Sequence, residues 1–131
     1  MTELLLIEDN PGDVVLVRQV VAECEIPIRL WIARDGDEAL DMLTDPQYFK
    51  PDLIILDLNV PKLSGLEFLQ RYRPKEVPVV IFSSAQNDAE IRQAMDLGAQ
   101  EFVQKPIDLN LFASAVHGII GRWTTEGCLA R

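Results

Sequence analysis

Five times along this chain a short, continuous apolar run gives way to a segment with helical spacing. That alternation constrains the fold more than any other feature. A strand covered by helices on both faces has no solvent side to alternate toward, so it reads as an unbroken apolar run, and each such run followed by a helix makes one βα unit of a parallel sheet. The strands are expected at Leu4 to Glu8, Ile28 to Ala33, Leu53 to Asp57, Val79 to Ser83 and Glu101 to Gln104. All but the last are rich in Leu, Ile and Val.

The intervening segments carry start and stop signals for helices. Asn10-Pro11-Gly12-Asp13 places a proline and an acid in a first turn, and Val14, Val17 and Val21 then mark one face of a helix running to Glu25. Gly36 to Asp45 presents Ala39, Leu40 and Leu43 and stops before Pro46, while Gly65 to Arg73 presents Leu66 and Leu69 and stops before Pro74. Asn87 or Asp88 caps a fourth helix with Ile91, Ala94, Met95 and Leu97 inward, ended by Gly98. A fifth, from Asp108 to Trp123, should bury Phe112, Val116, Ile119 or Ile120, and Trp123.

Right-handed crossovers with helices on both faces make this a doubly wound α/β fold. The expected architecture is a single flavodoxin-like (βα)5 domain with five parallel strands in the order 2-1-3-4-5. No linker or composition shift divides the chain, so residues 1–123 read as one domain and residues 124–131 as a C-terminal tail. The hydrophobic content of 48% is enough for a core. A formal charge of −9 repels phosphate backbones and anionic lipid, which argues against nucleic-acid and membrane partners and leaves proteins and cations. No run approaches the roughly 20 apolar residues of a membrane span, and Met1-Thr2-Glu3 opens no secretory signal, so a cytoplasmic setting is expected. Cys24 and Cys128 are far apart and without a nearby ligand partner, and both read as ordinary reduced thiols.

The strand ends carry the chemistry. In the order 2-1-3-4-5 the first and third strands are neighbours at the point where the winding reverses, which brings Glu8, Asp9 and Asp57 together at the carboxyl edge of the sheet. Three converging carboxylates repel one another unless a cation sits among them. With oxygen donors and no histidine or thiolate, magnesium fits and zinc does not. Asp57, with an open loop beyond it, is placed to accept a phosphoryl group as an acyl phosphate, with Ser83 and Lys105 bonding the phosphoryl oxygens. Taken singly these residues read as loop acids, an Asx turn, a polar loop hydroxyl and a surface lysine. Chance would have to put each at the same end of a different strand.

Glu8-Asp9-Asn10-Pro11, the run Pro51 to Leu58, Val60-Pro61, Ser64-Gly65, Pro78 to Ser84, Asp96-Leu97-Gly98-Ala99 and Lys105-Pro106 together resemble the receiver domain of two-component response regulators, from Glu3 to Trp123. Asn-Pro-Gly-Asp and the chain length are similar to small stand-alone regulators, including those that partner bacteriophytochrome kinases. The resemblance implies a phosphoprotein in which Asp57 takes phosphoryl from the phosphohistidine of a sensor histidine kinase. It implies Mg2+ held by Glu8, Asp9, Asp57 and the backbone carbonyl of Asn59, with Ser83 and Lys105 on the phosphoryl group. Ser83 and Phe102 fall at the switch hydroxyl and switch aromatic, which implies signalling through a surface of the fourth helix, fifth strand and fifth helix. Output would be contact with a downstream protein, since no output domain is read here, and the chain would be a monomer or a homodimer through that same surface. Val60 replaces a frequent methionine, and Ser83 replaces the commoner threonine without its β-branch.

Catalysis beyond its own phosphorylation and slow dephosphorylation is not expected. Asn59 and Ala85 would flank the hydrolytic water, and His117, on the exposed side of the last helix, is not a phosphodonor. An aspartyl-phosphate hydrolase is an alternative, but it would use an acid two residues after the nucleophile, where asparagine cannot donate a proton. A degenerate receiver serving as a scaffold is another, and intact Asp9, Asp57, Ser83 and Lys105 count against it. A flavin-binding relative lacks a Gly/Ser/Thr-rich phosphate cradle.

Overall fold

In the computed structural model, residues 1–45, 47, 49–72, 76–84 and 86–124 are described. Strands β1 (Thr2–Ile7), β2 (Ile28–Ala33), β3 (Leu53–Leu56), β4 (Val79–Ser83) and β5 (Glu101–Gln104) alternate with helices α1 (Pro11–Glu23), α2 (Gly36–Met42), α3 (Gly65–Arg71), α4 (Asp88–Asp96) and α5 (Leu109–Trp123). All strand pairs are parallel, in the order β2-β1-β3-β4-β5. The expected doubly wound topology is present.

Two cores form because successive side chains of a strand point to opposite faces of the sheet. Leu4, Leu6, Leu53, Ile55, Val80 and Phe82 pack against Val17 and Val20 of α1 and Phe112, Val116, Ile119 and Ile120 of α5. Leu5, Ile7, Ile54, Leu56, Val79 and Ile81 pack against Ala39 of α2, Phe68 and Leu69 of α3 and Ala94 of α4. The three middle strands β1, β3 and β4 are almost wholly buried, so they carry apolar residues at consecutive positions. Edge strands β2 and β5 are only partly covered, and on β2 exposed and half-buried positions alternate.

Side-chain caps fix where all five helices start, with Asp35 accepting from the backbone N–H of Glu38 on α2. Asn10 accepts from the backbone N–H of Gly12 and Asp13, Asn87 from Ala89 and Glu90, and Asp108 from Asn110 and Leu111. Ser64 and Glu67 form a reciprocal capping box on α3. Gly98 ends α4 region at a φ of 108°, a conformation glycine adopts without a Cβ clash.

Several expectations need adjustment. β1 and β3 stop one residue before Glu8 and Asp57, which places both acids just past the sheet edge. α1, α2 and α3 end at Glu23, Met42 and Arg71, short of the expected ends, and the stops at Pro46 and Pro74 lie outside the described residues. Met95 is 37% exposed rather than inward, because in so short a helix the core face is taken by Ala94. His117 is not on an open face: its side chain is 15% exposed, with Nε2 3.8 Å from a carboxylate oxygen of Glu23 on α1. Cys24 is buried and disulfide-bonded rather than a reduced thiol, and Cys128 lies outside the described residues. The tail expected at 124–131 falls outside them too, apart from Thr124. No helix among the described residues is long and apolar enough to cross a membrane.

Candidate phosphoryl-acceptor and metal site

The carboxyl ends of β1, β3, β4 and β5 converge on Asp57, which is only 6% exposed. Its Oδ1 accepts from the Ser83 hydroxyl at 2.8 Å and from the backbone N–H of Asn59 at 2.9 Å. Its Oδ2 accepts from Lys105 Nζ at 2.8 Å. Ser83 is fully buried at the last position of β4, so its hydroxyl reaches Asp57 from the neighbouring strand. Lys105 follows β5, and its backbone N–H bonds the carbonyl of Ser83, continuing the ladder by one residue and fixing the base of the side chain.

The lysine side chain is 9% exposed and lies among three carboxylates. Besides Asp57, Nζ donates to Glu8 and, at 2.9 Å, to Asp13 Oδ2. Glu8, 2% exposed, also accepts from the backbone N–H of Asn10 through its other oxygen. Asp9 is exposed and borders a cleft between α1 and β2. One oxygen from each of Glu8, Asp9 and Asp57 lies within 4.8 Å of the others.

Burial pushes the Asp57 carboxyl up, but the Asn59 N–H, the Lys105 ammonium and the Ser83 hydroxyl outweigh it, and the group sits below the ordinary carboxylate value. Glu8 goes the other way. Burial, assisted by the charge of Asp57 and opposed by Lys105, raises it to about 7. Lys105 is itself disfavoured as a cation by burial, yet bonds to Asp57, Glu8 and Asp13 hold its ammonium well above the usual range.

The donor set fits a hard divalent ion. Its ligands are all carboxylate oxygens, one acid faces solvent, and one lysine is left to balance four acids, counting Asp13. Each acid and base expected at the site from sequence is brought to it. Asn59 enters through its backbone N–H. Phe102 is not at the acceptor itself: it is half-buried on β5 opposite Ile81 and packs against the core beneath α2, α3 and α4. Ala85 lies outside the described residues. Sequence reasoning missed Asp13, read there only as the acid of a helix first turn. The available signal was its place four residues after Asp9, one turn beyond the acidic pair on the helix leaving the site.

Known proteins are similar to this chain in sequence and fold. Residues 4–117 match the family described as the response regulator receiver domain. The response regulator Rcp1 of Synechocystis is 31% identical over 128 residues, covering 92% of this chain and 87% of that protein. The phosphorylated cyanobacterial phytochrome response regulator RcpA superposes with a TM-score of 0.87 at 32% identity, over 98% of this chain and 97% of that one. The Mn(2+)-bound form of Rcp1 superposes equally well, with a TM-score of 0.87 at 30% identity over the full length of both chains. Other curated relatives are much longer: the chain spans a quarter of a probable cyclic di-GMP phosphodiesterase of Vibrio cholerae, at 28% identity. With its strand order, its acid triad and its buried Asp57–Ser83–Lys105 contacts, this chain belongs to the response regulator receiver domain family.

Proposed function

We propose that Asp57 accepts a phosphoryl group from the phosphohistidine of a sensor histidine kinase and that the acyl phosphate resets a protein-binding surface. One observation carries this reading: a buried carboxylate with a hydroxyl and an N–H on one oxygen and an ammonium on the other, beside two further acids within 4.8 Å. Glu8, Asp9, Asp57 and the backbone carbonyl of Asn59 would hold Mg2+, which neutralises charge on the transferring phosphoryl oxygens. Ser83 and Lys105 already donate to Asp57, so each needs only a small movement to donate to a phosphoryl oxygen instead.

Ser83 couples the site to β4, and Phe102 lies on the adjacent strand β5. As Ser83 turns toward phosphate, Phe102 is free to repack, and the surface of α4, β5 and α5 changes for a downstream protein or a second copy of the chain. Similarity to regulators named for phytochrome signalling supports a phytochrome-type kinase as the donor, and hence a cytoplasmic setting. Turnover is confined to its own phosphorylation and slow dephosphorylation.

Incubation with acetyl phosphate, with and without Mg2+, tests the central step by intact mass. A phosphate-sized gain that requires both Mg2+ and Asp57, and is lost in Asp57→Asn, is the expected result. Catalytic turnover of a phosphomonoester without stable labelling would favour a hydrolase instead.

A further inference from the structure

We propose that Asp13 is a positioning residue that holds Lys105 in place while the lysine's other two partners change theirs. The inference rests on the receiver reading above. An ammonium has three N–H groups, and at Lys105 each meets a different carboxylate: Glu8, Asp13 and Asp57. These partners are not equivalent. Glu8 and Asp57 belong to the cluster whose oxygens converge on a cation position, and Asp57 is also the phosphoryl acceptor, whereas Asp13 is outside that cluster. Phosphorylation converts one oxygen of Asp57 into the bridging oxygen of a mixed anhydride, and cation binding draws electron density from both acids. Both events weaken the acceptors that face Lys105 from the site. The bond to Asp13 is untouched by either.

Asp13 is also anchored by its backbone for this task. It lies in the first turn of α1, and its own backbone N–H is held by the Asn10 cap at 3.1 Å, so its position follows the helix rather than a loop. Its side chain is 24% exposed, enough shielding for the 2.9 Å contact to Lys105 to keep strength. The contact joins residues 92 apart in sequence, tying the end of β5 to the start of α1. Without it, a buried ammonium has only Glu8 and Asp57 to satisfy it and competes directly with the cation for them.

A double-mutant cycle of Asp13→Asn and Lys105→Met tests the role, with two readouts: the rate of acetyl phosphate labelling and Mg2+ affinity by titration calorimetry. Asp13→Asn alone, which keeps an acceptor oxygen but removes its charge, should slow labelling about tenfold, in line with loss of charge assistance in one hydrogen bond, and weaken Mg2+ binding. In the Lys105→Met background it should change labelling little, and Mg2+ affinity by less than in the wild type. Asp13→Glu, which keeps the charge at the helix start, should restore most of the labelling rate. Equal losses in both backgrounds would overturn the proposal and leave Asp13 as a helix-start charge. If wild-type protein takes no label at all, the receiver reading fails, while calorimetry still decides whether Asp13 acts through Lys105.

Discussion

Glu8 and Asp57 are both buried carboxylates bonded to the same ammonium, yet their environments move them in opposite directions. The difference is in the count of donors. Asp57 accepts from a lysine, a hydroxyl and a backbone N–H, enough to outweigh its desolvation, whereas Glu8 has the lysine and one backbone N–H and is raised to about 7. The sign for folding follows. Stability from Glu8 is fully present below its unfolded value near 4.5 and is lost as pH rises through about 7; that from Asp57 is present above its unfolded value of 3.8 and is lost as pH falls through its lower folded value. A cation at the site must displace the proton on Glu8. Mg2+ affinity measured calorimetrically should therefore rise by up to about tenfold per pH unit below 7 and level off above it. A flat affinity between pH 6 and 8 would contradict the assignment of Glu8 as a ligand.

At the scale of elements, α3 is seated so closely on the end of β3 that the position of Asp57 depends on a glycine. A Cβ at Gly65 would lie 2.7 Å from Leu58 Cα and 2.9 Å from the Asp57 carbonyl oxygen, both backbone atoms with little freedom to move. Gly65→Ala should cost about 1–3 kcal/mol by overpacking and slow labelling of Asp57 by displacing its backbone. Urea midpoints and acetyl phosphate rates check the two effects, and a variant of wild-type stability and rate would show that α3 slides freely. Helix starts were legible in sequence because a cap is a local bond: Asn10, Asn87, Ser64 and Asp108 each sit within three residues of the N–H groups they hold. Helix ends and inward faces were less legible. Whether Met95 or Ala94 faces the core depends on which residues of neighbouring elements occupy that space, and the apolar spacing of α4 alone does not say.

For the whole molecule, the dominant electrostatic fact is an overall charge of −9 with three acids converging on one lysine and a fourth, Asp9, beside two of them. A divalent ion relieves that repulsion only in the folded state, since the acids come from β1, α1 and β3 ends that unfolding separates. Mg2+ at about one hundred times its dissociation constant should add about 2.7 kcal/mol to stability and raise the thermal midpoint by several degrees. Chelation should reverse the shift, and an equal ionic strength of NaCl should not reproduce it. An unfolding midpoint indifferent to Mg2+ would count against the site. The apolar runs and their spacing sufficed to specify five βα units, because burial on both faces leaves a pattern in consecutive residues, and the strand order followed from assigning those units to the flavodoxin-like doubly wound topology. From that order the meeting of Glu8, Asp9, Asp57, Ser83 and Lys105 follows. What only the folded chain decided is how the charges share one another: that Lys105 turns inward to three acids, that Asp13 is among them, and that Glu8 and Asp57 part in proton affinity. Those outcomes depend on distances of a few ångströms and on exclusion of water between residues up to 97 positions apart, and one-dimensional spacing carries neither.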